Sequence, residues 1–515
     1  MYEEKAHCRA SQRTASAVVL LLGCFAIAFG AHAAAPPSVL LIITDEHNFR
    51  TLGCYRELLP PQQAEMWGPG AVVDTPHLDS LARDGVLCAR AYATSPVCSP
   101  CRAAMMTGRY PHMVGVPAND RVLDRSIPTL ADRLNRRGYL TAYMGKWHLG
   151  GPGKPEWAPQ VDGGFQFKKY MFNRGHWKKL VEENGQPRVG AQRNGKPTYD
   201  LDGADETTYT TDFLTDRACE FIRRTAEDQP FCLVLSYPDP HGPNKVRPPY
   251  DHMFDGLRFL PPRTYGTGLP QPRWLGQAAN HPVFRGSDMS QYFGMVKCLD
   301  DNIGELLDCL LATGRLDNTI VIMTSDHGDL CYEHDRLNKG NPYEGSARVP
   351  LLVRFPERLP ASCVYTEPVG TIDITPTIMG LLGESPEAED LGRNLADALA
   401  EAPLVGSEQT LADRNDSDEE PEPEAIVLRN AGTKASWLAV IDNRYKLVVS
   451  VSDDPWLFDN REDPDELLNY YRRPGTDGVA ERLARRLVEY AGESQDPYLN
   501  HPKIAASIQR ILQSD

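Results

Sequence analysis

The feature that most restricts the fold of this 515-residue chain is the alternation of short apolar runs with amphipathic stretches. Residues 39–44 (VLLIIT) and 319–324 (TIVIMT) have the continuous apolar character of strands buried on both faces of a sheet. Further strands are predicted at 86–91, 139–144, 231–236 and 350–355, and helices at 76–84, 128–137, 210–225 and 289–312. This alternation favours an α/β fold in which helices sandwich a large, mostly parallel sheet.

Two long irregular stretches, 151–206 and 238–288, interrupt the alternation and are rich in Gly, Pro, Asn and Trp. Loops of this length are uncommon unless they serve a function, so we expect them to form the walls of a substrate cleft. The alternative is an elaborate surface with no part in binding. Tyr170, Trp177 and Trp274 are candidate stacking surfaces, although aromatic residues in loops more often pack locally.

The C-terminal part of the chain has a different character. Residues 413–424 (DRNDSDEEPEPE) are acidic and contain prolines, as expected of a solvated linker or loop. After them, residues 436–441 and 445–451 are predicted to be paired strands, and 479–490 an amphipathic helix. We therefore expect a large α/β domain at 36–412 and a smaller C-terminal α+β subdomain at 425–515.

The N-terminus, residues 1–35, is predicted to be a signal peptide. Lys5, Arg9 and Arg13 precede an apolar run at 15–29, and Ala31-His32-Ala33 supplies a small-x-small cleavage site. The alternative is an uncleaved anchor, but the run is short for a membrane span. Lipidation at Cys24 is disfavoured because the apolar run continues past it. We expect an exported protein, periplasmic or extracellular, with no stable membrane span.

Charge and cysteine content narrow the function further. The chain has 54 Lys+Arg and 70 Asp+Glu, for a formal net charge of -16, which argues against a nucleic-acid-binding protein. An acidic protein can still hold a small basic pocket for an anionic substrate. Of the 12 cysteines, Cys8 and Cys24 would leave with the signal peptide. The remainder do not make a disulfide scaffold, but they leave room for one or two bridges whose pairing the sequence does not specify.

Four short clusters, most of which follow predicted strands, carry the residues suited to chemistry. They are Thr44-Asp45-Glu46-His47, Cys98-Ser99-Pro100-Cys101-Arg102 with Thr107-Gly108-Arg109, Gly145-Lys146-Trp147-His148, and Ser325-Asp326-His327-Gly328. His241, between two prolines, and Lys339 are candidates to join them. Taken singly, each cluster has an ordinary interpretation as a helix cap, a small buried thiol, a surface lysine or a turn.

Taken together, these residues form a coherent site, because strand ends in such sheets meet at one edge, where ligands bind. Hard oxygen ligands and one imidazole for a divalent cation would come from Asp45, Glu46, Asp326 and His327. Positive charge to neutralise a small oxyanion would come from Arg102, Lys146 and Lys339. Proton transfer would fall to His148 and His241.

The same motifs resemble those of the sulfatase family. Cys98-x-Pro100-x-Arg102 followed by Thr107-Gly108-Arg109 resembles its first signature, and Gly145-Lys146-Trp147-His148-Leu149-Gly150 its second. Asp326-His327-Gly328, Lys339 and Arg348-Val349-Pro350 resemble its third characteristic region, and the run from Leu457 to Glu466 resembles its C-terminal motif. The resemblance is collinear over about residues 38–470 and implies an alkaline-phosphatase-like fold.

The resemblance also implies roles. A formylglycine-generating enzyme would oxidise Cys98 to formylglycine, beside one calcium ion held by Asp45, Glu46, Asp326 and His327. Arg102 and Lys146 would fix the formylglycine and the sulfate, His148 would contact the formylglycine hydrate, and His241 with Lys339 would address the leaving oxygen. A hydroxyl of the hydrated aldehyde would attack sulfur, and loss of a proton from the second hydroxyl would then expel sulfate.

Three residues depart from the family pattern. Glu46 stands where many relatives carry Asp, Gln or Asn, so its longer side chain is the least secure metal ligand. His327 stands where some members carry Asn and others His. Cys101 occupies a variable position of the first signature, so modification of Cys98 should survive it, although Cys101 could form a dead-end bridge with another thiol.

Two other functions fit the same residues. One is a phosphonate monoester or phosphodiester hydrolase on the same fold, since sulfate and phosphate are close in shape. The other is an inactive homologue that binds sulfated glycan, but the intact set of site residues argues against it. The predicted export and the long loops favour a sulfated carbohydrate as the substrate.

Overall fold

The computed structural model describes residues 36–275, 282–406, 424–430 and 436–513. The predicted signal peptide at 1–35 and all but the last residue of the predicted acidic linker at 413–424 lie outside the described residues. No helix within the described ranges is at once long and apolar enough to cross a membrane.

The regular elements recur along the whole described chain. The strands, in chain order, are β1 Ser38–Asp45, β2 Val86–Cys88, β3 Ala91–Tyr92, β4 Leu140–Lys146, β5 Met171–Phe172, β6 Leu180–Glu183, β7 Gln186–Val189, β8 Gln192–Arg193, β9 Lys196–Pro197, β10 Phe231–Pro240, β11 Thr319–Ser325, β12 Arg348–Val349, β13 Leu351–Arg354, β14 Cys363–Tyr365, β15 Val369–Gly370, β16 Ile426–Asn430, β17 Trp437–Ile441, β18 Tyr445–Ser450 and β19 Trp456–Asp459. The α-helices are α1 Gly53–Arg56, α2 Pro61–Ala64, α3 Pro76–Arg83, α4 Cys98–Thr107, α5 Leu130–Asn135, α6 Thr210–Arg224, α7 Gly286–Ala312, α8 Glu344–Ala347, α9 Ile374–Leu381, α10 Ala396–Ala400, α11 Asp477–Ser494 and α12 Pro502–Leu512.

The main sheet has eight strands in the spatial order β14-β2-β13-β11-β1-β10-β4-β5. Strand β1 pairs in parallel with β10 and β11, and β10 pairs in parallel with β4. The pairings of β13 with β11 and with β2 are antiparallel, whereas β14 with β2 and β4 with β5 are again parallel. The prediction of a large, mostly parallel sheet is therefore confirmed.

Strand β1 shows why its sequence is apolar throughout. Successive side chains of a strand point to opposite faces, and here both faces are covered. Val39, Leu41 and Ile43 pack in the layer that contains α4, α5 and α9, while Leu40 and Ile42 pack in the layer that contains α3, α6 and α7. Burial of each such aliphatic side chain stabilises the fold by about 1.5–3 kcal/mol.

Helix α4 is internal to the molecule. It begins at Cys98, directly after the extended residue Val97, and ends where Gly108 adopts a left-handed φ of 71°. All of its residues from Cys98 to Thr107 are buried. No helix was predicted at the Cys98 segment, and the structure makes it the first turn of α4.

The C-terminal part contains a separate antiparallel sheet in the order β16-β17-β18-β19. One face of this sheet packs against helices α11 and α12. The other face packs on aromatic residues from earlier in the chain, among them Tyr92, Trp274 and Tyr343. A smaller C-terminal α+β layer is thus present, while the exact domain boundaries at 412 and 425 stay a prediction.

The two long stretches of the sequence differ in structure. The first, 151–206, contains β5 and the short hairpins β6–β7 and β8–β9. In the second, β10 extends to Pro240 and α7 begins at Gly286, so the irregular part is shorter than predicted. The three candidate stacking residues are wrong as ligand surfaces: Tyr170, Trp177 and Trp274 are buried and pack in the protein interior.

Candidate active site

The polar clusters meet at the carboxyl ends of four neighbouring strands. The order β11-β1-β10-β4 brings Asp326, Asp45, His241 and Lys146 to one edge, because each stands at or just after the end of its strand. The backbone of β1 joins this edge directly, since N–H of Glu46 donates to Oδ1 of Asp326 at 3.4 Å.

Cys98 enters this site from the first residue of α4. Its Sγ lies 3.1 Å from Nε2 of His327 and 3.8 Å from Oδ1 of Asp45. Burial and Asp45 raise the pKa of the Cys98 thiol, but Lys146, Lys339 and His327 outweigh them and lower it to about 6. The surroundings of Cys98 therefore stabilise an anion.

Arg102 lies one helical turn after Cys98 and connects α4 to the strand ends. Its Nε donates to Oδ2 of Asp326 at 2.8 Å, and its Nη1 donates to the backbone oxygen of Lys146 at 2.7 Å and to Oγ of Ser236 at 2.6 Å. Its Nη2 lies 3.5 Å from Oδ2 of Asp45. Arg102 thus orients both carboxylates of the site while itself remaining fully buried.

Lys146, at the end of β4, pairs with Asp45 and lies 2.9 Å from Nε2 of His176. Burial raises the pKa of Asp45, but Lys146, His241 and Arg102 bring it well below its usual range. Burial lowers the pKa of Lys146, but Asp45 and Cys98 raise it above its usual value. Asp45 and Lys146 therefore form a charged pair inside the protein.

A second group of side chains adjoins the first. Nζ of Lys339 lies 3.0 Å from Oε1 of Glu46 and 2.6 Å from Nε2 of His241, and that Nε2 lies 3.1 Å from Oε2 of Glu46. Nδ1 of His241 lies 2.8 Å from the backbone oxygen of Gly242, which can only accept, so Nδ1 carries a hydrogen. The side chains of Lys339 and His241 are 16% and 14% exposed, whereas those of Asp45 and Lys146 are fully buried.

His148 makes its hydrogen bond to Asp120, outside the two groups of site residues described above. Its Nε2 lies 3.2 Å from Oδ1 of Asp120, and its Nδ1 is buried without a hydrogen-bond partner. Burial and Lys146 lower the pKa of His148 to about 3. Its predicted contact with the modified Cys98 stays a prediction.

His176 belongs to the site although the sequence analysis did not single it out. It lies in the irregular stretch 151–206, and its ring stacks on the ring of His241 with centroids 3.4 Å apart and planes within 8°. A single histidine in a long loop carries no period or spacing from which its position could be inferred.

The donor set suits a divalent cation. Among the described residues, one group of buried donors has its ligand atoms all within 4.8 Å of one another: Asp45, Cys98, Asp326 and His327. Carboxylate oxygens are preferred by hard cations such as calcium, and an imidazole is tolerated by several divalent metals. The carboxylate of Glu46 is not part of this group and instead contacts Lys339 and His241.

A cavity of about 280 Å³ opens beside Glu46 and Gly242. Its wall also includes Asn244, Asp288 and Tyr332. Because Gly242 follows His241 directly, this cavity lies on the His241 side of the site.

Comparison with known proteins finds similar chains among the sulfatases. The choline-sulfatase of Rhizobium meliloti (strain 1021) is 28% identical over 462 residues, which cover 85% of this chain and 83% of the relative. The N-acetylglucosamine-6-O-sulfatase of Bacteroides thetaiotaomicron is 25% identical over 533 residues, covering 90% of this chain and 87% of the relative. The crystal structure of the putative sulfatase yidJ from Bacteroides fragilis superposes with a TM-score of 0.69 at 23% identity, covering 90% of this chain and 97% of that one, and shares its fold.

The profile of the Sulfatase family matches residues 37–384, which is more than half of the chain and includes every catalytic and metal-binding residue proposed from the sequence. The chain therefore belongs to the sulfatase family, the enzymes that hydrolyse sulfuric esters.

Proposed function

We propose that this chain hydrolyses sulfate esters of carbohydrates by means of a formylglycine made from Cys98 and a bound calcium ion. The observation that carries the proposal is the position of Cys98. It stands at the start of a buried helix with Sγ between His327 and Asp45, in surroundings that stabilise an anion. An aldehyde at this position would supply, as its hydrate, an oxygen nucleophile for sulfur.

Asp45, Asp326 and His327 would hold the calcium ion, with an oxygen of the modified Cys98 as a further ligand. Bound calcium would polarise that oxygen and offset the charge of the sulfate. Glu46 enters this set only if its side chain turns away from Lys339 and His241. Glu46 is therefore the least well supported ligand of the proposed set.

The basic residues divide into two roles. The guanidinium of Arg102 already donates to Asp326, Ser236 and the backbone of Lys146, so its main effect is to orient the carboxylates. Lys146 and Lys339 both place positive charge near Cys98, since both lower the pKa of its thiol. We assign the sulfate oxygens to these two ammonium groups, and we keep His148 as a contact of the hydrated aldehyde.

His241 and Lys339 would protonate the leaving oxygen. The proton would move from Nζ of Lys339 to Nε2 of His241, which lie 2.6 Å apart. The same Nε2–H would then be donated to a leaving oxygen beside it, because Nδ1–H is already donated to the backbone oxygen of Gly242. The cavity lined by Glu46 and Gly242 would accommodate the leaving alcohol, since Glu46 contacts both residues of this pair.

A carbohydrate substrate is supported by the similarity to an N-acetylglucosamine-6-O-sulfatase over 90% of this chain. The similarity to a choline-sulfatase is of the same order, so a small alkyl sulfate belongs in the same assay. We further propose that residues 1–35 direct export to the periplasm or the extracellular space, and that a formylglycine-generating enzyme modifies Cys98. The proposed catalytic domain spans 36–412, with a C-terminal subdomain at 425–515.

The test compares the wild type with Cys98→Ala and with Cys54→Ala, a matched control at a buried cysteine outside the site. The substrates are 4-nitrophenyl sulfate, N-acetylglucosamine 6-sulfate, choline sulfate and a phenyl phosphonate monoester. We expect Cys98→Ala alone to abolish hydrolysis with little change in thermal stability. The wild-type peptide around Cys98 should be lighter by the mass difference between a thiol and an aldehyde. Full activity with an unmodified Cys98 would disprove the mechanism, and faster hydrolysis of the phosphonate would disprove the substrate class.

A further inference from the structure

His176 connects two of the groups that the proposed reaction uses. One side of its ring lies flat on His241, and its Nε2 lies 2.9 Å from Nζ of Lys146. The same Nε2 is 3.8 Å from Oδ2 of Asp45. His176 therefore fills the space between the Lys146–Asp45 pair and the His241–Lys339 pair.

The segment that carries His176 is firmly attached to the end of β10. Nζ of Lys178 donates to Oδ1 of Asp239 at 2.6 Å and to the backbone oxygen of His241 at 3.1 Å. Trp177 is buried and packs on Tyr199 with ring centroids 4.8 Å apart. Because Lys178 holds the backbone of His241 and His176 holds its ring, one short segment fixes that histidine at two points.

Asp45, His176 and His241 also lie close enough together to be considered as a second cation site. The charges around them oppose this interpretation. Lys146 contacts Asp45 and His176, and Lys339 contacts His241, so two ammonium groups already occupy the contacts that a second cation would need.

We propose that His176 is a positioning residue, which holds the imidazole of His241 by stacking and the ammonium group of Lys146 by hydrogen bonding. The proposal rests on the proposed function, because it assigns His241 the delivery of a proton to the leaving oxygen. A stacked ring at 3.4 Å limits rotation of His241, and small misplacements of a reacting group can cost up to about 10²-fold in rate.

The test uses the full-length modified enzyme and two probes that differ in their leaving group, phenyl sulfate and 4-nitrophenyl sulfate. His176→Ala should lower kcat for phenyl sulfate more than for 4-nitrophenyl sulfate, in the same direction as His241→Ala. His176→Phe keeps an aromatic ring for stacking and should recover most of that selective loss. His252→Ala, at a histidine whose side chain is 80% exposed, is the control and should leave both rates unchanged.

A double-mutant cycle separates positioning from other roles. If His176 acts through His241, the variant with both changes should lose hardly more than His241→Ala alone. If the loss of the double variant equals the product of the two single losses, His176 acts independently of His241 and the proposal is overturned. A higher KM with an unchanged kcat on both probes would overturn it as well, because His176 would then be a substrate-binding residue. If activity is lost in Cys98→Ala but unchanged in His176→Ala, only this proposal is refuted. If the wild type is inactive on both probes, the proposed function is refuted as well.

A separate observation concerns Cys219 on α6 and Cys309 on α7. Sγ of Cys309 lies 3.7 Å from the backbone oxygen of Cys219, and Sγ of Cys219 lies 3.9 Å from the backbone oxygen of Glu305, one turn before Cys309. Each thiol thus reaches the backbone of the opposite helix, which places the two cysteines side by side between α6 and α7.

The geometry points to a disulfide between Cys219 and Cys309 that joins α6 to α7 when the chain folds in an oxidising compartment. The Cys309 thiolate would attack a sulfur of an oxidised dithiol catalyst, releasing one thiolate of that catalyst. The Cys219 thiolate would then attack the mixed disulfide at the sulfur of Cys309. Overall the two thiols lose two protons and two electrons, and the disulfide of the catalyst is reduced to a dithiol.

This proposal is tested on full-length protein produced in a host with an oxidising cytoplasm, which makes the result independent of export. Peptide mass spectrometry without reduction should find Cys219 linked to Cys309, while the core thiols Cys88 and Cys232 remain free. A reductant should lower the Tm of the wild type and leave that of Cys219→Ala/Cys309→Ala unchanged. Free thiols at both positions, or linkage of either to a different cysteine, would overturn it.

Discussion

Replacement of His241 by alanine is the change that most directly tests the proposed chemistry. In the structure, Nδ1 of His241 donates to Gly242, which leaves Nε2 to receive the hydrogen bond of Lys339 at 2.6 Å. The alanine variant removes the only imidazole that contacts both Lys339 and Glu46 among the described residues. Lys339 and Glu46 remain in contact at 3.0 Å, so neither loses its last partner and the fold should survive.

The size of the effect depends on the leaving group. A sugar alkoxide is a poor leaving group and needs a proton in the transition state, whereas 4-nitrophenolate needs little assistance. Loss of a positioned general acid costs roughly 10²–10⁴-fold in rate. We therefore expect His241→Ala to reduce hydrolysis of a sugar sulfate by roughly 10²–10⁴-fold. The loss with 4-nitrophenyl sulfate should be much smaller.

The assay measures kcat and KM for both substrates under steady-state conditions, together with the melting temperature of each variant. Lys339→Met is the informative partner, because it removes the proton source and should show the same dependence on the leaving group. The exposed histidine His252 again supplies the matched control, as His252→Ala.

Equal losses on both substrates would refute the role of His241 as a general acid and would indicate binding or structural support instead. No loss on either substrate would remove His241 from the site altogether. A lower melting temperature that parallels the loss of activity would show that the fold, rather than proton transfer, depends on this residue.

Three further predictions concern the metal, the backbone and the buried charges. Asp326→Ala should lose bound calcium, because it removes a carboxylate of the proposed ligand set. Metal analysis of the variant, and restoration of chelated wild type with calcium, check this; an active wild type without metal would contradict it. Gly145→Ala should lower both activity and Tm. Gly145 has a φ of 97°, and an added Cβ would lie 1.9 Å from the backbone oxygen of Ser236, so the backbone would shift and displace Lys146. An unchanged Tm and kcat would contradict this. Nζ of Lys446 lies 2.7 Å from Glu344 and 2.6 Å from Glu466, so Lys446→Met leaves both buried carboxyl groups without their shared cation. This variant should lose about 3–5 kcal/mol of unfolding free energy, measured by urea denaturation. The control, Lys503→Met on the surface, should lose almost none.

The elements of the fold that could be predicted are those with a clear pattern of apolar residues in the sequence. The runs 39–44 and 319–324 became β1 and β11, and both needed apolar residues at every position because helices cover the two faces of the sheet. The position of the clusters at one edge followed from the same sheet, since parallel strands bring their carboxyl ends together. The order of the strands in space, and hence which cluster meets which, could not be read from local pattern.

The details that escaped prediction depend on long-range packing. The Cys98 segment forms a helix with no polar face, so neither a capping residue nor an amphipathic period marked it in the sequence. His176 reaches the site through the fold of a 56-residue irregular stretch (151–206). Glu46, whose backbone has a φ of 67°, contacts Lys339, which is distant in sequence. Each of these depends on neighbours that are distant in sequence.

The charges of the site are better explained by function than by stability. Buried ion pairs often contribute little to folding, because desolvation offsets their attraction. Here, nevertheless, carboxylates at Asp45, Glu46 and Asp326 face cations at Arg102, Lys146 and Lys339 in the interior. Such a set would offer its carboxylates to the proposed calcium ion and its basic groups to a sulfate ester. Replacing one charged residue therefore removes its own function and also leaves an oppositely charged neighbour without a partner. Both effects should lower the rate of catalysis.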